Sequence, residues 1–94
     1  MSNEEDEELR AAEAAKEALS AQDISPITLR STKDTAVRAM SVFPDEAALN
    51  DARHTVGLAL YELILTLKDD PAPKEKIEKA RGAVDEWINQ LRAA

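Results

Sequence analysis

The stretch 45-DEAALNDARHTVGLALYELILTLK-68 decides the fold. Leu49, Ala52, Val56, Ala59, Leu63 and Leu67 recur at spacings of three or four, which is one face of an α-helix. Leu58, Leu60, Ile64 and Leu65 add apolar side chains around most of the remaining circumference. A helix apolar nearly all round is normally buried, so this segment is expected at the centre of a bundle or at an interface between copies. Pro44 disfavours a helical conformation at Phe43, and Asp45-Glu46 complements the macrodipole of a helix starting there. The helix is therefore predicted over about 45–68. Gly57 in its middle costs about 1 kcal/mol relative to alanine, and close approach of another helix, in the monomer or across a dimer axis, is the simplest compensation.

Working outward, Asp69 to Pro73 holds two prolines and reads as a short, stiff connection. Ile77, Ala80, Val84, Trp87, Ile88 and Leu91 then keep helical spacing and predict a helix over about 73–92. Upstream, Ser25-Pro26 combines an N-cap with proline at the first helical position, and Leu29, Ala36, Met40 and Phe43 continue a helix over about 26–43. Lys33 interrupts that stripe. Thr28, Ser31, Thr32 and Thr35 lower the local propensity, so the sequence leaves open whether 28–35 is helical or irregular, the irregular case having Ser31 or Thr32 cap a shorter helix. A first helix over about 4–21 follows from Glu, Ala, Lys, Arg and Leu, with Ser2 and Glu5 matching a capping box. Its stripe of Leu9, Ala12, Ala15 and Leu19 is rich in alanine and buries little, which makes it the most weakly docked element.

Short connections favour antiparallel neighbours, so the fold class is all-α, a four-helix up-down-up-down bundle formed by residues 1–94 as a single domain. Two glycines and four prolines are too few turn residues for a sandwich of short strands. With no cysteine, disulfides, thiolate zinc sites and thiol nucleophiles are excluded. The acidic N-terminus lacks the basic-then-apolar pattern of a targeting peptide, and no apolar run approaches the roughly 18 residues of a membrane span. The expected setting is soluble and cytoplasmic, with no membrane association.

The net charge of -7 is uneven: residues 1–23 hold eight acids against two bases and so carry -6 of it. Such polarity argues against a nucleic-acid partner for this segment. Glu4, Glu5, Glu7 and Glu8 are more acid than capping requires, and they are the candidate residues for binding a basic protein partner. Ser25, Arg30, Ser31, Thr32, Lys33 and Arg38 form the alternative site, since hydroxyls, bases and free amides at a helix start suit an anion or nucleotide, although no Gly-rich loop accompanies them. His54 is the only imidazole, with no second ligand to complete a zinc site; a haem or enzyme site there, with Met40 or water as the other axial ligand, ranks third. No catalytic residue, metal or cofactor is expected. The sequence reading is a small acidic, non-enzymatic interaction module (an adaptor, inhibitor or designed binder) presenting an acidic helix face, with homo-oligomerisation through the third helix expected from its excess apolar surface.

Overall fold

The computed structural model describes residues 3–21, 24–67 and 73–93, with side chains in the first helix from Glu7 onward. Four helices follow one another, α1 (Asn3–Ser20), α2 (Pro26–Val42), α3 (Ala47–Thr66) and α4 (Lys74–Ala93), and they form a four-helix bundle about 41 Å long and 18–19 Å across. Each helix packs its backbone closely against its two neighbours in the ring α1-α2-α3-α4, while α1 and α3, on a diagonal, meet through the side chains of Glu8 and Arg53. Contacts across the ring run in opposite directions along the chain. Phe43 faces Arg53 while Lys33 faces Tyr61, and Glu13 reaches Arg92 while Lys16 reaches Asp85. These neighbours are antiparallel, as short connections require.

The ends of α2 and α3 show the local chemistry that starts them. The Ser25 hydroxyl accepts from the Thr28 amide at 3.3 Å, and Pro26 stands at the head of α2. No irregularity interrupts residues 28–35. Thr32 Oγ1 donates to the Thr28 carbonyl at 2.8 Å and Thr35 Oγ1 to Ser31 at 3.0 Å, so the hydroxyls are satisfied within the helix and do not compete with it. The cap is Ser25, not Ser31 or Thr32. Between α2 and α3, Pro44 and Asp45 form a turn, closed by the Glu46 amide donating to the Phe43 carbonyl at 3.3 Å. Helix α3 thus begins two residues later than the sequence pattern predicts, with Glu46 at the N-cap position. The expected capping box at Ser2, the connection through Lys68 to Ala72 and the side chains of Glu4 and Glu5 lie outside the described residues.

The core joins all four helices. Trp87, Leu29, Leu60, Leu63, Val56 and Val84 are fully buried, and Ala12, Ala15, Ala36, Ala59 and Ala80 let the backbones approach between them. The stripe read on α1 is buried at Ala12, Ala15 and Leu19, with Leu9 packed at its edge. On α2 the buried position next to Lys33 is Thr32, while Met40 and Phe43 are only half-buried. Helix α3 departs from expectation most. It is a corner of the ring rather than its centre, and Leu58, Tyr61 and Leu65 are 50–52% exposed.

Candidate interaction surface

A hydrogen-bonded polar network is buried within the bundle. Glu8, 1% exposed, and Arg53, fully buried, form a bidentate pair: Arg53 Nε donates to Glu8 Oε2 at 2.7 Å and Nη2 to Oε1 at 2.8 Å. Trp87 Nε1 donates to the same Oε2 at 2.7 Å. On the other side of the guanidinium, Nη1 donates to Asn50 Oδ1 at 2.7 Å, and Asn50 Nδ2 in turn holds the Phe43 carbonyl at 2.9 Å. Glu46 Oε1 lies 3.1 Å from Nη1 but has no aligned donor, so it contributes charge rather than a further hydrogen bond. The Phe43 ring, its centroid 5.4 Å from the guanidinium carbon, covers the cation. Burial alone would lower the Arg53 pKa; the hydrogen bonds of Glu8 and the charges of Glu8 and Glu46 outweigh it and hold the pKa above its ordinary value. The hydrogen bonds tie α1, α3 and α4 at one level of the bundle, with the buried Glu46 Oε1 left without a donor.

This placement corrects the reading of Glu8. It is not a partner-binding residue on an acidic surface, because its carboxylate is consumed by Arg53 and Trp87 inside the core. Of the same group, Glu7 is exposed, with its carboxylate 4.0 Å from Arg38.

The candidate anion site is not assembled. Ser25 caps α2, the Thr32 hydroxyl is turned back onto Thr28, and Arg38 stands beside Glu7. Arg30 and Ser31 are exposed, whereas Thr32 is buried on the opposite side of the helix. Lys33 leans the other way: its Nζ is 3.7 Å from Asp34 and 5.9 Å from the centre of the Tyr61 ring. These groups diverge rather than converge on one ligand. Among the described residues no three His, Cys, Asp or Glu side chains gather as metal ligands.

His54 is exposed and borders an open groove of about 350 Å³ between α2 and α3, which Lys33, Val37, Met40, Gly57, Leu58 and Tyr61 complete. Both walls are helical stripes. Arg30, Lys33, Val37 and Met40 follow one another on α2, and His54, Leu58 and Tyr61 on α3, with Leu65 continuing the α3 stripe beyond the groove and Asp51 at its outer border, where α3 turns towards α4. Val37 is 47% exposed, so apolar surface faces outward from both helices. A Cβ built on Gly57 would meet only Val37 Cγ2, at 3.9 Å, an ordinary contact. No helix of the bundle approaches closely enough to require glycine, contrary to the simplest reading of Gly57 within the monomer.

No family model matches the chain, and no curated protein or solved structure matches it significantly.

Proposed function

We propose that this chain is a non-enzymatic protein-protein interaction module acting in the cytoplasm, with the outer face of α2 and α3 as its docking surface. The observation behind this reading is the apolar stripe itself: Val37, Leu58 and Tyr61 are each about half exposed, on two adjacent helices, around one groove, and the half-exposed Leu65 continues the stripe one turn further along α3. Isolated exposed leucines are ordinary, but an aligned set with an aromatic residue resembles the composition of interface cores. Among the described residues no helix is long and apolar enough to cross a membrane, so a lipid-spanning role does not compete for this face.

The acidic face of α1 is the second reading, favoured by the concentration of acid in residues 1–23. Glu7 and Glu13 lie about 4 Å from Arg38 and Arg92, which offsets part of the charge offered to a basic partner.

A thermal-shift panel tests the proposal against small-ligand and haem readings. At 100 times its dissociation constant a ligand specific to the native state adds roughly 2.7 kcal/mol of stability. The module should keep its melting temperature with inorganic phosphate, nucleotides and haem; a rise with any of them refutes the proposal.

A further inference from the structure

We infer that the α2–α3 face binds a second copy of this chain, the two copies related by a two-fold axis that lies in the interface and crosses the helices near Val37 and Gly57. The inference deepens the interaction reading by naming the partner. Three features of the face lead to it.

The first is charge. The two ends of the face differ in sign: Arg30 and Lys33, partly offset by Asp34, stand at one end, and the exposed Asp45 at the other, with the exposed Asp51 at the border of the face towards α4. Because α2 and α3 are antiparallel, both positive residues lie towards the start of α2 and both negative ones towards the α2–α3 turn. A two-fold axis crossing the helices reverses the ends, so the positive end of one copy overlies the negative end of the other. An axis parallel to the helices would instead stack like on like, which specific interfaces avoid. In a chain of net charge -7, self-association is also easiest away from α1, where the acid is concentrated.

The second is size. A 20-residue helix such as α3 is about 30 Å long, and two packed helices with their side chains span roughly 20 Å. The face is therefore about 500–600 Å² in projection and larger in accessible area, close to the roughly 600–800 Å² per partner of a small to standard interface. The third is Gly57. The monomer does not need glycine at that position, yet the missing side chain keeps the groove open where the axis would cross it, so that Val37 and Leu58 of each copy can interdigitate.

Sedimentation equilibrium of the full chain, from about 1 to about 300 micromolar to span weak dimers, tests this. The parent should shift from monomer to dimer mass across that range. Leu58→Glu, at an exposed position that leaves the fold and its circular dichroism unchanged, should remain monomeric. Lys33→Glu should weaken the dimer at least tenfold, and Asp51→Lys added to it should restore association. A parent that stays monomeric throughout overturns the inference, as does a dimer indifferent to Leu58→Glu or a Lys33→Glu defect that Asp51→Lys leaves unrepaired. Monomer with an acidic amphipathic helix bound in the groove overturns it too. The ligand panel described above reads the broader interaction proposal separately, so failure of the dimer and failure of that proposal are told apart.

Discussion

Arg53 and Glu8, separated by 45 positions in the chain, meet inside the core with two nitrogens of one guanidinium on two oxygens of one carboxylate, at 2.7 and 2.8 Å. A buried ion pair of this kind adds little net stability over an apolar pair of equal shape, because both charges lose their hydration. Removing one partner is costly. Glu8→Leu and Arg53→Met are expected to destabilise the fold by about 3–5 kcal/mol each, and the Glu8→Leu/Arg53→Met double variant by clearly less than the sum. Urea denaturation of the four members of a double-mutant cycle measures the coupling; additivity would mean that the pair is not coupled.

The same geometry separates the acids of α1. Changing Glu4, Glu5 and Glu7 to glutamine should move the melting temperature by no more than a few degrees, since glutamine is nearly as good a helix former and surface charges contribute little. Adding Glu8→Gln to that variant should produce the large loss. Comparison of the triple and quadruple variants by circular dichroism distinguishes buried from surface carboxylates directly.

Leu63→Ala and Trp87→Ala are each expected to cost about 2–5 kcal/mol, as both side chains are fully buried. Trp87→Phe should be costly as well, because it leaves Glu8 Oε2 without its indole donor. As the only tryptophan, Trp87 also reports on the core: its emission should be blue-shifted in the parent and move to the red on unfolding. A parent emission already at the solvent-exposed wavelength would contradict its burial.

On the other side of the bundle, Glu62 accepts from Lys79 and Lys76 at 3.3 and 3.4 Å, and these two lysines lower its pKa. A carboxylate depressed in the folded state adds stability that is present above its unfolded pKa and is lost as pH falls through its folded one. Glu62→Gln should therefore reduce the loss of melting temperature on acidification below about pH 4.3, the ordinary glutamate value, with little change in slope above it. The effect is small because the pair is solvated. An acid limb unchanged in the variant would remove this contribution.

Helix number, order and approximate bounds were legible because local signals agreed with one another: Ser25-Pro26 opened α2, Pro44 closed it, and three-four spacing ran through α3 and α4. The buried network was missed because Glu8 was counted with its acidic neighbours. Yet Glu8, Ala12, Ala15 and Leu19 share the spacing of one face, as do Leu49, Arg53, Val56 and Leu60, so opposite charges stood at core-phase positions of two helices. A buried tryptophan needing an acceptor was the third clue. The exposure of Leu58, Tyr61 and Leu65 was not legible in that way. Apolar circumference shows that a helix has more apolar surface than one neighbour covers, but the ring topology decides which part of it remains open.

Gly57→Ala should stabilise the monomer by up to about 1 kcal/mol, because the added methyl group has room beside Val37 and the helix gains propensity. In the dimer the same methyl group narrows the groove at the axis, so association should weaken as the monomer strengthens. Thermal melts at low concentration and sedimentation at high concentration separate the two effects; a destabilised monomer would show a close approach within the bundle after all.

The claim that this protein works through its α2–α3 face is tested most directly by amide chemical shifts recorded across a dilution series from about 1 millimolar to about 10 micromolar, a range that brackets weak self-association. The account predicts concentration-dependent shifts along Arg30 to Met40 and Asp51 to Leu65, with the outward amides of α1 and α4 unchanged. Spectra that do not change with concentration, or changes confined to α1 and α4, would contradict it.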